Sequence, residues 1–295
     1  MKTRALLRLM RPHQWIKNGF VFLGVVFGHG WDDPALLADA LALFVAFCCA
    51  SSAVYILNDI ADRDADRLHP SKRLRPLARG DVGVGTARVV CIALALAGLA
   101  LAAAVSLSGL LIVGGYVALN LAYSAGLKHV PILDVFMISG GFMLRILAGT
   151  VGIGIPPSKW LLLCGLMLTL FLGFGKRRAE LVTMTANEDS NSASDHRASL
   201  DGYSGTLLDL LIAVSVACAA IGYALYTVDA ETVALHGTDK LILTLPFVLY
   251  GLFRYLQLIY VKGGGGDPAW DVLHDPHLIA TTAGWLGATA WILKG

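Results

Sequence analysis

Long apolar runs, each closed by a short polar stretch, recur along the chain from Trp15 to its far end. A helix needs about 20 mostly apolar residues to cross a bilayer. Nine segments approach that length: Trp15–Trp31, Ala35–Ile60, Val84–Leu107, Gly109–Tyr123, Ile132–Gly152, Ser158–Leu181, Thr206–Thr227, Lys240–Val261 and His277–Leu293. The first and fourth are short, and the first reads as a tilted or broken segment. No heptad pattern, fixed-period repeat or soluble domain stands out. The pattern predicts an all-α, polytopic membrane bundle of about nine transmembrane helices in one integral membrane domain, 1–295. Residues 1–14 read as a basic interfacial segment, and 61–83, 182–205 and 262–276 as polar loops.

Composition agrees. Apolar residues make up 56% of the chain and charged residues 15%, whereas a soluble domain carries more charge. Cys48, Cys49, Cys91, Cys164 and Cys218 all lie in apolar runs without metal-ligand or disulfide spacing, so they read as small core hydrophobes. The net charge is only +2, but its placement is informative. With the N-terminus in the cytoplasm, 19 of the 23 Lys and Arg fall on the inner side. Lys159, Lys240 and Lys294 fall outside, Arg145 falls within a helix, and the outer connections carry Asp32, Asp33, Asp229, Glu231 and Asp239. This follows the rule that positive charge stays inside. The three long loops are then cytoplasmic, which predicts an inner (cytoplasmic) membrane protein with its active site on the cytoplasmic side.

The polar residues at the end of the second run carry the most chemistry. Asn58-Asp59-Ile60-Ala61-Asp62-Arg63-Asp64-Ala65-Asp66 is followed by Arg67, Lys72, Arg73, Arg75 and Arg79. Charge beside hydrocarbon is costly and marks function. At helical pitch Asp59, Asp62 and Asp66 fall within about 60° of one another. Three convergent carboxylates suit Mg²⁺, a hard cation that keeps waters and grips a diphosphate.

Other polar groups lie within the helices. Arg145 shares a face with Asp134 and Gly141, and a buried arginine there calls for an anionic partner. The alternative is an ion pair that fixes helix packing. Tyr116, Asn120 and Tyr123 share a face of the fourth segment, either lining a cavity or joining helices. Lys176, Arg177 and Glu180 meet at i, i+3 and i, i+4 spacing, as a chamber rim or a charged anchor. Asp271 and Asp275 have the spacing of a second acidic pair, and Ser190–Ser199 reads as a loop that orders on binding.

Asn58-Asp59-x-x-Asp62-x-x-x-Asp66 resembles the first acidic motif of the UbiA superfamily of intramembrane prenyltransferases, and Tyr123-Ser124 with Lys128 is similar to its motif after the fourth helix. The second aspartate-rich motif of the aromatic prenyltransferases is replaced here by Lys176-Arg177-Arg178-Ala179-Glu180. That substitution, with Arg11-Pro12-x-Gln14-Trp15-x-Lys17-Asn18 and Asp66-Arg67-x-His69-Pro70-x-Lys72-Arg73-x-Arg75-Pro76, resembles one branch, the decaprenyl-phosphate phosphoribosyltransferases. The resemblance implies a Mg²⁺-dependent transfer of a phosphoribosyl group from 5-phosphoribosyl 1-diphosphate to a polyprenyl phosphate, toward decaprenyl-phospho-arabinose of the cell wall. On that reading Asp59, Asp62 and Asp66 hold Mg²⁺ and Asn58 orients them. Lys72, Arg73, Lys176 and Arg177 clamp phosphates, and Glu180 takes a ribose hydroxyl or a second metal. Asn120 and Tyr123 line the chamber. Lys17, Arg75, Arg79, Lys128 and Arg145 complete a cationic excess suited to several phosphates. The expected partners are phosphoribosyl diphosphate, polyprenyl phosphate and bilayer lipid, with no nucleic acid; an oligomer is compatible with the sequence but not specified by it. A prenyltransferase for aromatic acceptors is the alternative enzyme. A transporter or lipid flippase using Arg145 and Asp134 as a coupling pair is the alternative of another class.

Overall fold

The computed structural model describes residues 2–28, 30–68, 72–186 and 200–294. Every regular element among them is helical. Seven helical stretches are long and apolar enough to cross a membrane: Pro34–Ala61, Val84–Val105, Leu107–Ala125, Leu133–Ile153, Lys159–Thr185, Gly205–Val228 and Lys240–Val261. The ninth expected span forms the helix Pro276–Lys294, which is less apolar because it carries Thr281, Thr282, Thr289 and three glycines or histidines besides.

The first expected span is not one helix. Pro12–Phe22 is a run of 3₁₀-helix, followed by the short α-helix Leu23–Phe27. Such long 3₁₀ runs are uncommon. Its inward positions explain it: Trp15, Asn18, Val21 and Gly24 recur every three residues, the 3₁₀ period. Asn18 and Val21 are fully buried, and the Trp15 indole donates to Ser52 Oγ at 3.0 Å. Gly24 and Gly149 allow backbones to touch, since a Cβ on Gly24 would run into the Gly149 carbonyl and one on Gly149 into that of Val21.

The chain divides into two compact units. The first holds Met1–Lys128 and Gly140–Pro157. Its axis is Pro34–Ala61, started by Pro34 and by Asp33, whose carboxylate accepts from the Ala35 N–H at 2.8 Å. Val84–Val105, Leu107–Ala125 and the 3₁₀ run pack on it. Leu43, Phe47, Val113 and Ile153 belong to its core. A second apolar cluster of Leu9, Ile56, Leu77, Val82 and Ala87 anchors the 61–83 loop.

The second unit holds His129–Ser139 and Ser158–Gly295. Lys159–Ala186 packs along Gly205–Val228, and Leu245–Val261 packs on Pro276–Lys294. Its core is built on Phe171, Phe174, Leu208, Ile212 and Tyr255. The 262–276 loop contains the helix Pro268–His274, and the segment Ser190–Ser199 lies outside the described residues.

Candidate active site

In the first unit, Asp59 lies in the last turn of Pro34–Ala61. The chain leaves helical geometry at Asp62 (φ −88°, ψ 3°) and resumes it in Arg63–Leu68, which carries Asp66. Asp59 and Asp66 are only 2% and 3% exposed. Pro76 starts the next short helix, Leu77 plugs it into the apolar cluster, and Arg75 is thereby set beside both carboxylates. One nitrogen, Arg75 Nη1, donates to Asp59 Oδ1 at 3.1 Å and to Asp66 Oδ2 at 2.7 Å. Arg11 Nη2 donates to the same Asp59 Oδ1 at 2.5 Å. Arg11 holds that position with left-handed backbone, φ 53°, unusual for a non-glycine residue.

The structure thus brings together two of the three expected aspartates. Asp62 is half-buried at the break, and no group of three or more His, Cys, Asp or Glu suited to a metal occurs among the described residues. The 60° arc presupposed an unbroken helix; the turn at Asp62 removes that premise. Asn58 Oδ1 accepts from Ser124 Oγ at 2.9 Å, so the first acidic motif is tied to Tyr123-Ser124. Tyr123 is half-buried. The Asn120 amide donates to the Tyr116 carbonyl one turn back on its own helix, at 2.8 Å. Lys72 and Arg73 occupy the single turn Lys72–Leu74, and Lys128 the single turn Leu127–His129. Lys17 is half-buried in the 3₁₀ run, and Arg79 lies 3.5 Å from Asp81.

Deeper in the first unit, Arg145 is 5% exposed. It donates to Asn18 Oδ1 at 2.7 Å, the Gly141 carbonyl at 2.7 Å and the Tyr116 hydroxyl at 3.2 Å. Its guanidinium also lies over the rings of Phe47, Tyr116 and Phe142. Among the described residues no carboxylate pairs with it. Neutral acceptors and three aromatic faces compensate the charge instead.

In the second unit, Asp134 is fully buried and Arg177 is 6% exposed. Arg177 Nε donates to Asp134 Oδ2 at 2.6 Å and Nη1 to Glu180 Oε2 at 2.5 Å. Asp134 therefore pairs with Arg177, so the anion on which the transporter alternative rested is already engaged within its own unit. Lys176 lies 3.8 Å from Glu180 Oε1, so the three residues of the rim do meet. Arg178 is engaged separately, with Asp209 at 2.6 Å and over the Tyr260 ring. Asp271 accepts from the Gly265 N–H at 2.7 Å, closing the glycine turn. Asp275 pairs with Arg254 at 2.7 Å and accepts from the N–H groups of His277 and Leu278 at the start of Pro276–Lys294. The Arg254 hydrogen bonds hold its carboxyl well down, to about 2. Both aspartates have structural work.

Arg11, Ser124 and Tyr203 join these contacts without a site role expected from the sequence. Arg11 and Ser124 stand inside the quoted motifs, whereas Tyr203 follows a polar loop and carries no local signal.

Buried carboxylates bridged by arginine, at the end of an apolar helix among seven helices long and apolar enough to cross a membrane, define the class: a polytopic helical membrane protein with a charged site at a helix end. The chain belongs to the UbiA prenyltransferase family, whose model matches residues 19–273. It is 35% identical to the decaprenyl-phosphate phosphoribosyltransferase of Corynebacterium glutamicum, over 96% of this chain and 84% of that one. It is 32% identical to the protein of the same name from Mycolicibacterium smegmatis, over 96% and 90%. In fold it matches a UbiA homolog from Archaeoglobus fulgidus bound to DMAPP and Mg²⁺, with a TM-score of 0.70 and 20% identity over 98% of this chain and 99% of that one.

Proposed function

We propose that this chain transfers a phosphoribosyl group from 5-phosphoribosyl 1-diphosphate to a polyprenyl phosphate at the cytoplasmic face of the inner membrane. The observation that carries the reading is the rim of the second unit. Where aromatic prenyltransferases use a second acidic motif, this chain has Lys176 and Arg177, held by Glu180 and Asp134. Lysine and arginine donors suit a second phosphate-bearing substrate better than a neutral aromatic acceptor.

The first unit suits the diphosphate. Asp59 and Asp66 already converge on one cationic nitrogen, and Mg²⁺ is typically bound by one or two carboxylates plus substrate phosphates and waters. The donors therefore fit Mg²⁺, with Asp59 and Asp66 as its holders and Asp62, at the break between their helices, as the motif's third carboxylate. When bound, the metal would supply charge stabilisation to a departing diphosphate. Arg75, beside both carboxylates, would donate to that diphosphate, and Arg11 would keep Asp59 oriented. Lys72, Arg73 and Lys17 add positive charge to this unit, and Asn58 is fixed by Ser124. In the reaction the anomeric C–O bond to diphosphate breaks and a C–O bond to the lipid phosphate forms. The acceptor oxygen is anionic at neutral pH, so no general base is needed.

The test is incubation of membranes with labelled phosphoribosyl diphosphate and polyprenyl phosphate, beside prenyl diphosphate and 4-hydroxybenzoate. Labelled lipid from the first mixture is expected, and loss of nearly all of it in Asp59→Asn. Product from the second mixture alone would refute the reading.

A further inference from the structure

We propose that Tyr203 is a positioning residue that sets Arg177 for its anion, acting through Asp134. The inference rests on the role given above to Arg177. Tyr203 is buried, 7% exposed, and its hydroxyl makes two bonds of opposite sense. It accepts from the Ile132 N–H at 2.6 Å and donates to Asp134 Oδ1 at 2.6 Å. The directions are dictated by chemistry, because an amide only donates and a carboxylate only accepts. Asp134 then has one oxygen for the phenol and the other for Arg177 Nε, so its carboxylate plane is defined from both sides. That plane in turn aims the guanidinium, whose Nη1 reaches Glu180.

The surroundings are built for this contact. Ile132 has φ 69°, a conformation that a β-branched residue adopts only when held. The phenol holds it, through the very N–H that this backbone presents. Gly202 lets the segment close, since a Cβ there would overlap the Pro131 ring. Burial and the Asp134 carboxylate raise the phenol's pKa, which keeps it protonated and donating. A core tyrosine could fill the same space with its ring alone. It would not need its hydroxyl shared between a strained turn and the carboxylate behind a rim arginine.

The experiment compares wild type with Tyr203→Phe, Arg177→Gln and the double variant, measuring KM and kcat for the polyprenyl phosphate, the substrate given above to the rim. Tyr203→Phe should raise KM about tenfold, the loss of one charge-assisted hydrogen bond, with kcat within about threefold. The double variant should be no worse than Arg177→Gln. A Tyr203→Phe enzyme with wild-type KM, multiplicative effects in the double variant, or an Arg177→Gln enzyme with wild-type KM would each overturn the proposal. Adding Ile132→Gly to Tyr203→Phe separates stability from positioning: relief of the left-handed strain should restore the melting temperature and leave KM raised. If KM recovered with the melting temperature, Tyr203 would be structural only. Should wild type fail to use phosphoribosyl diphosphate, the functional reading fails. Calorimetric binding of inorganic phosphate then still decides on Tyr203, with affinity about tenfold weaker in Tyr203→Phe expected and unchanged affinity fatal.

Discussion

Arg75 stands where a cation is wanted. Its Nη1 bridges two carboxylates that are almost wholly removed from solvent, and a buried carboxylate without a partner is strongly destabilising. A divalent ion at Asp59 and Asp66 must therefore compete with the guanidinium. Arg75→Gln should bind Mn²⁺ alone more tightly, by about tenfold (~1.4 kcal/mol), as read by paramagnetic relaxation. It should also melt lower without metal and gain more from added Mg²⁺ than wild type does, because a ligand of the native state stabilises it. Equal Mn²⁺ affinity in the two proteins would show that Arg75 and the metal do not share the carboxylates. Arg145 presents the opposite solution. Among the described residues no carboxylate pairs with it, and three aromatic faces with three neutral acceptors hold its charge. Glycine and arginine spacing along the sequence pointed to its burial, but its partners come from three separate segments and could not be read from one.

Helices were legible where apolar residues fill the whole length. Pro34–Ala61 and Gly205–Val228 lie within two residues of the ranges expected from hydropathy. The first segment was not legible, because apolar length alone cannot distinguish an α-helix from a 3₁₀ run. Trp15 and Asn18 bond to side chains of Pro34–Ala61, and those tertiary bonds favour the tighter winding. The start of Pro276–Lys294 shows a local rule being reused. Asp275 caps the helix and pairs with Arg254, which depresses its pKa to about 2. A carboxylate depressed in the folded state stabilises the protein above its unfolded value of about 3.9, and that stabilisation is lost as pH falls through the folded value. The melting temperature in detergent should therefore drop between about pH 4 and about pH 2 less steeply in Asp275→Asn than in wild type. Parallel pH profiles would exclude the pair as the cause.

For the molecule as a whole, the charge asymmetry predicts its orientation. In a cysteine-free background, Arg73→Cys should react with an impermeant maleimide only after cells are opened, and Thr238→Cys in intact cells. The reverse labelling would invert the topology and defeat the cytoplasmic site. The run of apolar segments sufficed for an all-helical membrane protein, because hydrocarbon demands that every backbone group be satisfied within its own helix. The motifs likewise named the acidic and basic residues from which the proposed site is built. What tertiary structure alone decided is which polar groups meet: Arg75 across Asp59 and Asp66, Asn58 on Ser124, and Tyr203 behind Asp134 and Arg177. Those pairings join residues up to 69 positions apart. They depend on where helices end and how closely backbones approach, which no local pattern of side chains encodes.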